Sequence, residues 1–399
     1  MSHHRAVTKY RVIVVTPEAP DPFGNAAARW YYALAKGLVR RGHHLRFLSA
    51  YSPATGEESL RRTKDFFSKL DIALRLYPYP VYGWMHRKWN TLRRPYSFFL
   101  SEELRRDVNR SLRDGYDVLN LEQMWTGYLG VGVERALLSV HHLELLDLAG
   151  VASRSLKSLA SKYLMQTAER RILMKSANIR VTTDRVRSEV TRLNPRARVS
   201  TVPVAIDPEL YEFVPSEDST KTVGLIATFS WYPGYNAAVR LLTRIWPKVK
   251  EAVPTANLLI VGWNARRTLA RFLDGRQVTV LENVPDTKRY FREISVLVYP
   301  LLQGSGMKIK LLEAMAYGTP IVTTTEGAEG LAAVHGRDAF IADDDDTIVE
   351  RTVELLLNKT LADQMSRAAR SLVEERYSPG PVVAQMERVY HDLLTESHQ

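Results

Sequence analysis

An α/β chain made of two successive Rossmann-like domains, each with its own parallel sheet, is the fold class the sequence predicts. Three observations predict it. The chain has 399 residues, too long for one typical domain and comfortable for two. Short apolar runs alternate with helical patterns, the signature of βαβ units and parallel strands. The alternation also starts twice, at Arg11 and again at Lys221.

The first start is Arg11–Thr16 (RVIVVT), a buried-strand pattern. A turn rich in Pro, Asp and Gly covers residues 17–25, and a helical pattern over Ala26–Arg41 stops at Gly42. His44–Ala50 reads as the second strand. After a basic window come strand patterns at Asp117–Leu121 and Ala136–Val140, and a long helical segment over Ser155–Ser176. Ile179–Thr182 and Val199–Val202 close the first unit, and Pro203–Pro208 (PVAIDP) is a linker.

In the second unit, strands are expected at Thr222–Ala227, Asn257–Val261, Val278–Glu282, Ile294–Tyr299 and Pro320–Thr324. Helices are expected at Asn236–Glu251, Asn264–Asp274 and Met307–Tyr317, and helical patterns dominate from Asp345 to Leu394. The reading divides the chain into residues 1–205, residues 206–379 and a last helical segment, residues 380–399. Parallel sheets of this kind bind ligands beyond the carboxyl ends of their strands.

Composition narrows the chemistry. Hydrophobic residues make up 45% and charged residues 25%, as in an ordinary globular protein. There is no cysteine, which excludes disulfides, thiolate metal sites and cysteine nucleophiles, and fits a reducing cytoplasm. The N-terminal apolar run is too short for a signal peptide, and no stretch approaches a bilayer span of ~20 residues. The expectation is a cytoplasmic protein, soluble or peripheral on the inner face of a membrane.

The net charge of +11 is concentrated. Residues 61–106 hold eleven Lys/Arg, including Arg87, Lys88 and Arg93, against four acids, with ten aromatics interleaved, including Trp84, Trp89 and Phe98. Three readings stay open for this excursion: a solvated face over core aromatics, a peripheral contact with anionic membrane, and, less favoured, nucleic acid.

The segment richest in chemistry is residues 296–331. A strand ends at Tyr299–Pro300, and the loop Gln303-Gly304-Ser305-Gly306 leads into a helix expected from Met307. Glycines let backbone approach a ligand, and a helix N-terminus offers N–H groups to an anion. Lys308 and Lys310 would stand in the first turn, where a cation is unfavourable unless an anion is present. Glu313, in the second turn, suits a ribose diol or a capping charge.

The run Gly304–Thr324 (GSGMKIKLLEAMAYGTPIVTT) resembles the nucleotide-sugar-binding region of family 4 retaining glycosyltransferases, in the branch with a G-x-K-x-K-x-L-E-A-M-A pattern. ATFSWYPGYNAA from Ala227, PTANLLIVG ending at Gly262, and Asn283-Val284-Pro285-Asp286 are similar to the same branch. The resemblance implies the GT-B fold: two Rossmann-like domains facing across a cleft, with the C-terminal helix crossing back to the first. It implies a retaining, metal-independent hexosyl transfer from a nucleoside-diphosphate sugar, UDP- or GDP-sugar foremost, with no other cofactor. The acceptor would be a saccharide or a lipid-linked hydroxyl.

By that resemblance the donor is held by Trp231, Asn283, Val284, Gly304, Ser305, Gly306, Met307, Lys308, Lys310, Leu312 and Glu313. Gly306, Met307 and Lys308 would lie at the diphosphate, and Glu313, the second Glu of the family's E-x7-E motif, at the ribose. Ser305 replaces the first Glu. The family's Arg-x4-Lys pair is missing, with Ser230, Trp231 and Tyr232 in that region, so neutralisation falls to Lys308 and Lys310. Arg266 and Arg267 are possible helpers, read first as surface charges.

In the first unit, Gly24 and Asn25 stand where the family often has paired glycines. They face the ligands or form a turn with Asn25 as N-cap. His141-His142-Leu143-Glu144 resembles the family's H-N-x-E run. It makes His141, with Lys308 and Glu313, a candidate catalytic residue, and His142 and Glu144 structural. Alternative functions are a DNA glycosyltransferase, a sugar-nucleotide epimerase of the same fold and a non-catalytic basic binding protein.

Overall fold

A computed structural model describes residues 9–83, 85, 89, 94–151, 155–214, 221–273, 278–284 and 286–395. Trp84, Arg87, Lys88, Arg93, Asp274, Pro285 and the last four residues lie outside them. The chain divides into two compact units, residues 1–205 with 379–399, and residues 206–378.

The first unit is built on a seven-stranded parallel sheet. Its strands are β1 (Arg11–Thr16), β2 (His44–Tyr51), β3 (Ala73–Pro78), β4 (Val118–Glu122), β5 (Ala136–Val140), β6 (Asn178–Val181) and β7 (Arg198–Thr201). Their order is β3-β2-β1-β4-β5-β6-β7. β1 pairs with β2 on one side and β4 on the other, which makes that junction the topological switch point. β1, β4 and β5 are almost entirely buried, so they read as continuous apolar runs.

The helix Ala26–Arg40 opens on Asn25, whose side chain accepts from the Ala28 N–H, and the chain turns at Gly42 (φ +87°). Against it packs the last helix, Pro379–Thr395, at Gly37, where a Cβ would stand 2.5 Å from a Val383 methyl. Only a glycine lets the two helices come this close. Glu387 of the last helix adds an ion pair to Arg41 (2.5 Å) and a contact to His43 Nε2 (2.7 Å). The C-terminal helix therefore completes the first unit.

The second unit carries a six-stranded sheet: β8 (Thr222–Thr228), β9 (Asn257–Trp263), β10 (Val278–Glu282), β11 (Val296–Tyr299), β12 (Ile321–Thr323) and β13 (Phe340–Ile341). The order is β10-β9-β8-β11-β12-β13, again parallel, with the switch point between β8 and β11. β13, at the sheet edge, is two residues long and was not anticipated.

Several expectations are corrected. The helix expected over 236–251 starts at Tyr232 and runs to Ala252, through a π-helical stretch at Leu241–Ile245. Pro247 stands two residues beyond this stretch; it has no N–H and its ring crowds the preceding turn, which widens the helix there. The helix expected over 264–274 is α-helical only over Ala265–Leu269, followed by a 3-10 turn at Ala270–Phe272.

The basic window is not wholly an excursion. A helix over Glu57–Lys69 runs into its start, the edge strand β3 lies in its first half, and a helix over Glu102–Arg113 begins near its end. β3 (ALRLYP) is mostly open to solvent, with Arg75 in its middle and only Tyr77 buried, so it lacks the apolar run that marked the other strands.

Candidate functional site

In the second unit the predicted donor residues gather at the carboxyl ends of β8, β10 and β11. The loop after β11 turns through Gly304 (φ +147°) and Gly306 (φ +74°), conformations that favour glycine. A Cβ on Gly304 would stand 3.1 Å from Pro233, so the loop lies tightly against the helix that follows β8. Thr323 and Thr324 hold this loop from beneath, donating to the carbonyls of Tyr299 (2.8 Å) and Leu301 (2.6 Å). That is the local use of the Thr run after β12.

The helix itself starts at Ile309, with Lys308 at the N-cap position and no side-chain cap. This corrects its expected start at Met307 and moves Lys308 out of the first turn. The physical reason is Gly306: its left-handed φ cannot continue into a helix, so the chain needs two further residues to enter one. The helix ends at Gly318 (φ +87°), and Glu313 and Leu312 are buried on it.

The two lysines do not stand as open charges. Lys308 is 5% exposed; its ammonium donates to the carbonyls of Gly304 (3.1 Å) and Gly306 and lies 3.6 Å from Glu329. It ties the glycine loop shut from inside. Lys310 reaches Glu313 Oε2 at 2.8 Å and Thr287 Oγ1 at 3.5 Å, and its side chain is 23% exposed. Ser305 is buried, while Met307 is half-buried. Glu326 accepts from the Gly304 N–H at 3.0 Å, so the loop after β12 brings carboxylates to this site. Sequence reading missed Glu326, Glu329 and Thr287; the TTTEGAEG run was visible, but which way it faced was not.

A second edge of the site comes from β9 and β10. Gly262 is extended at φ +157°, and a Cβ there would stand 1.7 Å from the Ala227 carbonyl oxygen. Asn283 takes φ +54°, and its side chain accepts from the Asn264 N–H at 3.0 Å. Asn283 and Trp263 are exposed; Val284 and Trp231 are half-buried. Arg266 and Arg267 are exposed on their short helix.

In the first unit, Asn25 is the N-cap and also donates to Glu18; Gly24 packs on Asp21 and Ala28 and its carbonyl accepts from Arg29 Nε at 2.7 Å. His141, just past β5, stands 2.7 Å from Glu122 Oε2. Burial pulls the His141 ring below its ordinary pKa, and the Glu122 carboxylate only partly opposes this. His142 contacts Asp147 at 3.1 Å; burial lowers its pKa, but Asp147 outweighs this and lifts it to about 9. Glu169 accepts from the N–H groups of Glu144 and Leu145 (3.0 and 2.9 Å), and burial raises it to about 7. Glu169, and not Glu144, holds this loop.

Much of the basic window is balanced in space by acids that lie outside it in sequence. Arg62 pairs with Asp21 (2.9 Å), Arg61 with Glu58 (2.8 Å) and Arg75 with Asp107 (2.6 Å). Exposed apolar side chains here include Val81, Met85, Trp89 and Phe98, alongside the exposed cations Lys64, Lys69 and Arg106. Tyr96 donates to the Ser161 carbonyl (3.2 Å) of the helix Leu156–Lys175, whose Leu156, Leu159 and Tyr163 are also exposed. Among the described residues, no helix is long and apolar enough to cross a membrane.

Two parallel sheets of Rossmann order, with loops gathered at the switch point of the second, define the GT-B fold. Comparison with known proteins agrees. The family model described as "Glycosyl transferase 4-like domain" matches residues 25–205, and "Glycosyl transferases group 1" matches residues 220–358. The chain is of the group 1, family 4-like glycosyltransferase type. A trehalose synthase of Thermococcus litoralis is 27% identical over 164 residues, which is 38% of this chain and 39% of that protein. Only that part of the relative is spanned. The solved sucrose-phosphate synthase of Thermosynechococcus elongatus is 16% identical with a TM-score of 0.70, covering 97% of this chain and 100% of that one. Anabaena HepE, solved with UDP-glucose, is 12% identical with a TM-score of 0.64 over 96% of this chain and 99% of its own. These structures share the fold.

Proposed function

We propose that this protein transfers a sugar, with retention, from a nucleoside-diphosphate sugar to a hydroxyl of a saccharide or lipid-linked acceptor in glycoconjugate synthesis. The observation that carries the reading is the glycine loop Gly304–Gly306 leading into the N-terminus of the helix Ile309–Tyr317 at the switch point of the second sheet. Backbone N–H groups and the helix dipole there favour a diphosphate. UDP-glucose bound to HepE, on the same fold, supports a nucleotide-sugar donor.

On this reading the leaving diphosphate gains charge in the transition state, and the loop N–H groups with Lys310 stabilise it without a metal ion. Lys308 shapes the loop. Glu313 and Lys310 meet the ribose, and Asn283, Val284, Trp231 and Met307 line the nucleoside. His141 contacts a sugar hydroxyl. The exposed Val81, Trp89, Phe98, Leu156 and Tyr163, with the neighbouring cations, rest on the anionic inner face of a membrane, which suits a lipid-linked acceptor.

A thermal-shift and calorimetric screen against UDP-, GDP- and dTDP-sugars, with and without EDTA, tests the donor site. Binding of one series at micromolar Kd is expected. No binding by any nucleotide sugar would sink the reading. Proton NMR of the glycosidic product checks retention, and an inverted linkage would refute it.

A further inference from the structure

The position before the turn at the end of β4 carries a group that no motif singled out. Glu122 is wholly buried. Its Oε1 accepts from Asn120 Nδ2 (2.8 Å); its Oε2 accepts from Trp30 Nε1 (2.7 Å) and stands 2.7 Å from His141 Nε2. In register across the sheet, Glu122 lies beside Ser139 of β5, and Ser139 beside Arg180 of β6. Arg180 is also wholly buried. It donates to the carbonyls of Val202 (2.9 Å) and Pro203 (2.6 Å), and its guanidinium lies 4.5 Å from the Trp30 ring centre.

A buried carboxylate is costly unless it is paired and hydrogen-bonded. Burial would raise Glu122, but the His141 hydrogen bond, the His141 charge when that ring is protonated, the positive charge of Arg180 and the Trp30 N–H outweigh it and hold the group at about 2. It is therefore an anion at any working pH and can only accept hydrogen bonds. The Nε2 of His141 must then carry the hydrogen. The other charged or titratable groups around the ring are Arg180 and His142, both of which disfavour a second proton, with Tyr31 beside it, its ring centre 6.3 Å away. Burial, Arg180 and His142 all favour the neutral ring, in which Nε2 carries the hydrogen toward Glu122 and Nδ1 is an acceptor.

The backbone singles out the same place. Gln123, directly after Glu122, is held at φ 65°, ψ 153°, a region nearly closed to residues other than glycine. Strain of this kind persists where surrounding structure over-determines it, and it clusters at functional sites.

We propose that Glu122, an anion balanced by Arg180, is a positioning residue that fixes His141 in its Nε2–H form, so that Nδ1 receives a sugar hydroxyl and not a phosphate oxygen. This rests on the transferase reading for the identity of the ligand, while the state of the ring can be tested without it.

The test uses the full chain with ¹⁵N-labelled histidine. Long-range ¹H–¹⁵N spectra at pH 7.5 report the tautomer, with the His141 signals identified by their loss in H141Q. The wild type should show Nε2–H, Nδ1 unprotonated, and no change on adding inorganic phosphate. E122Q, whose amide can donate to Nε2, should shift the ring toward Nδ1–H. With a donor in hand, E122Q should lower kcat at least ~10-fold with little change in donor KM, and shift the acid limb of the pH profile. An Nδ1–H or imidazolium ring in the wild type would overturn the proposal whether or not E122Q folds. So would a phosphate-induced protonation, or a folded E122Q with unchanged tautomer and pH profile. An Nε2–H ring in a protein that binds no nucleotide sugar would instead count against the transferase reading alone.

Discussion

Lys310 Nζ lies 2.8 Å from Glu313 Oε2, three residues along the same helix, and Glu313 is wholly buried while Lys310 keeps a side-chain exposure of 23%. The pair joins a covered carboxylate to an accessible cation at the proposed donor site. Removing the cation alone leaves a buried charge uncompensated. K310A should therefore lose about 1–3 kcal/mol in denaturant titrations, below the cost of breaking a fully buried pair because the lysine is partly solvated. The double variant K310A/E313Q should recover most of that stability. Its affinity for UDP or GDP should stay at least ~10-fold reduced, because both ligand contacts are gone.

If Glu313 accepts from the ribose diol, the wild type should discriminate against a 2′,3′-dideoxy nucleotide. E313Q should narrow that discrimination to within about threefold, since a hydrogen bond to a charged acceptor contributes roughly 1.5–3 kcal/mol. Calorimetry with the two nucleotides on the two proteins gives the four affinities. An unchanged ratio would remove Glu313 from the ribose.

Lys308 and Lys310 should separate in their effects. Lys308 is buried against the carbonyls of Gly304 and Gly306, so K308M leaves these acceptors without their donor. It should cost about 1–3 kcal/mol and slacken the loop, seen as faster amide exchange over residues 303–308, before any ligand is added. K310A should leave exchange in that loop close to the wild type.

Gly262 offers a backbone test. A Cβ at this position would come within 1.7 Å of the Ala227 carbonyl, while one at Gly380 meets nothing within 4 Å. G262A should lose more than ~3 kcal/mol or fail to accumulate, since the neighbour is backbone and cannot yield. G380A, in the last helix, should be neutral or slightly stabilising. Equal melting temperatures for the two would refute the geometry around β8 and β9.

The His142 loop predicts a pH dependence with a definite sign. His142 is raised to about 9 by Asp147, which outweighs the opposite effect of burial. Its contribution is complete below the ordinary histidine range and is lost as pH rises through about 9. Glu169 is raised to about 7 by burial, so stability also falls as pH rises from the usual carboxylate range through 7. Unfolding free energy should decline from pH 5 to pH 9. H142N should flatten the upper part of that decline and E169Q the lower part. The His142 effect should be modest, because 44% of its side chain meets solvent.

Sequence alone determined the sheet-building segments and the loop that matters. Runs such as RVIVVT and NLLIVG are apolar on both faces, which only a strand covered by helices can satisfy, and their double start implied two parallel sheets. Gly304 and Gly306 before an apolar helical pattern marked the turn, because so few residues adopt those backbone angles. Local chemistry reaches no further than this. That Lys308 turns inward onto its own loop, that Glu122 meets His141 from 19 residues away, and that Asp107 and Asp21 cancel charges in the basic window are all decided by strand order and helix packing. Charges act through space and not along the chain. A residue's type shows what it can bond, and only the tertiary arrangement selects which partner stands within three ångströms.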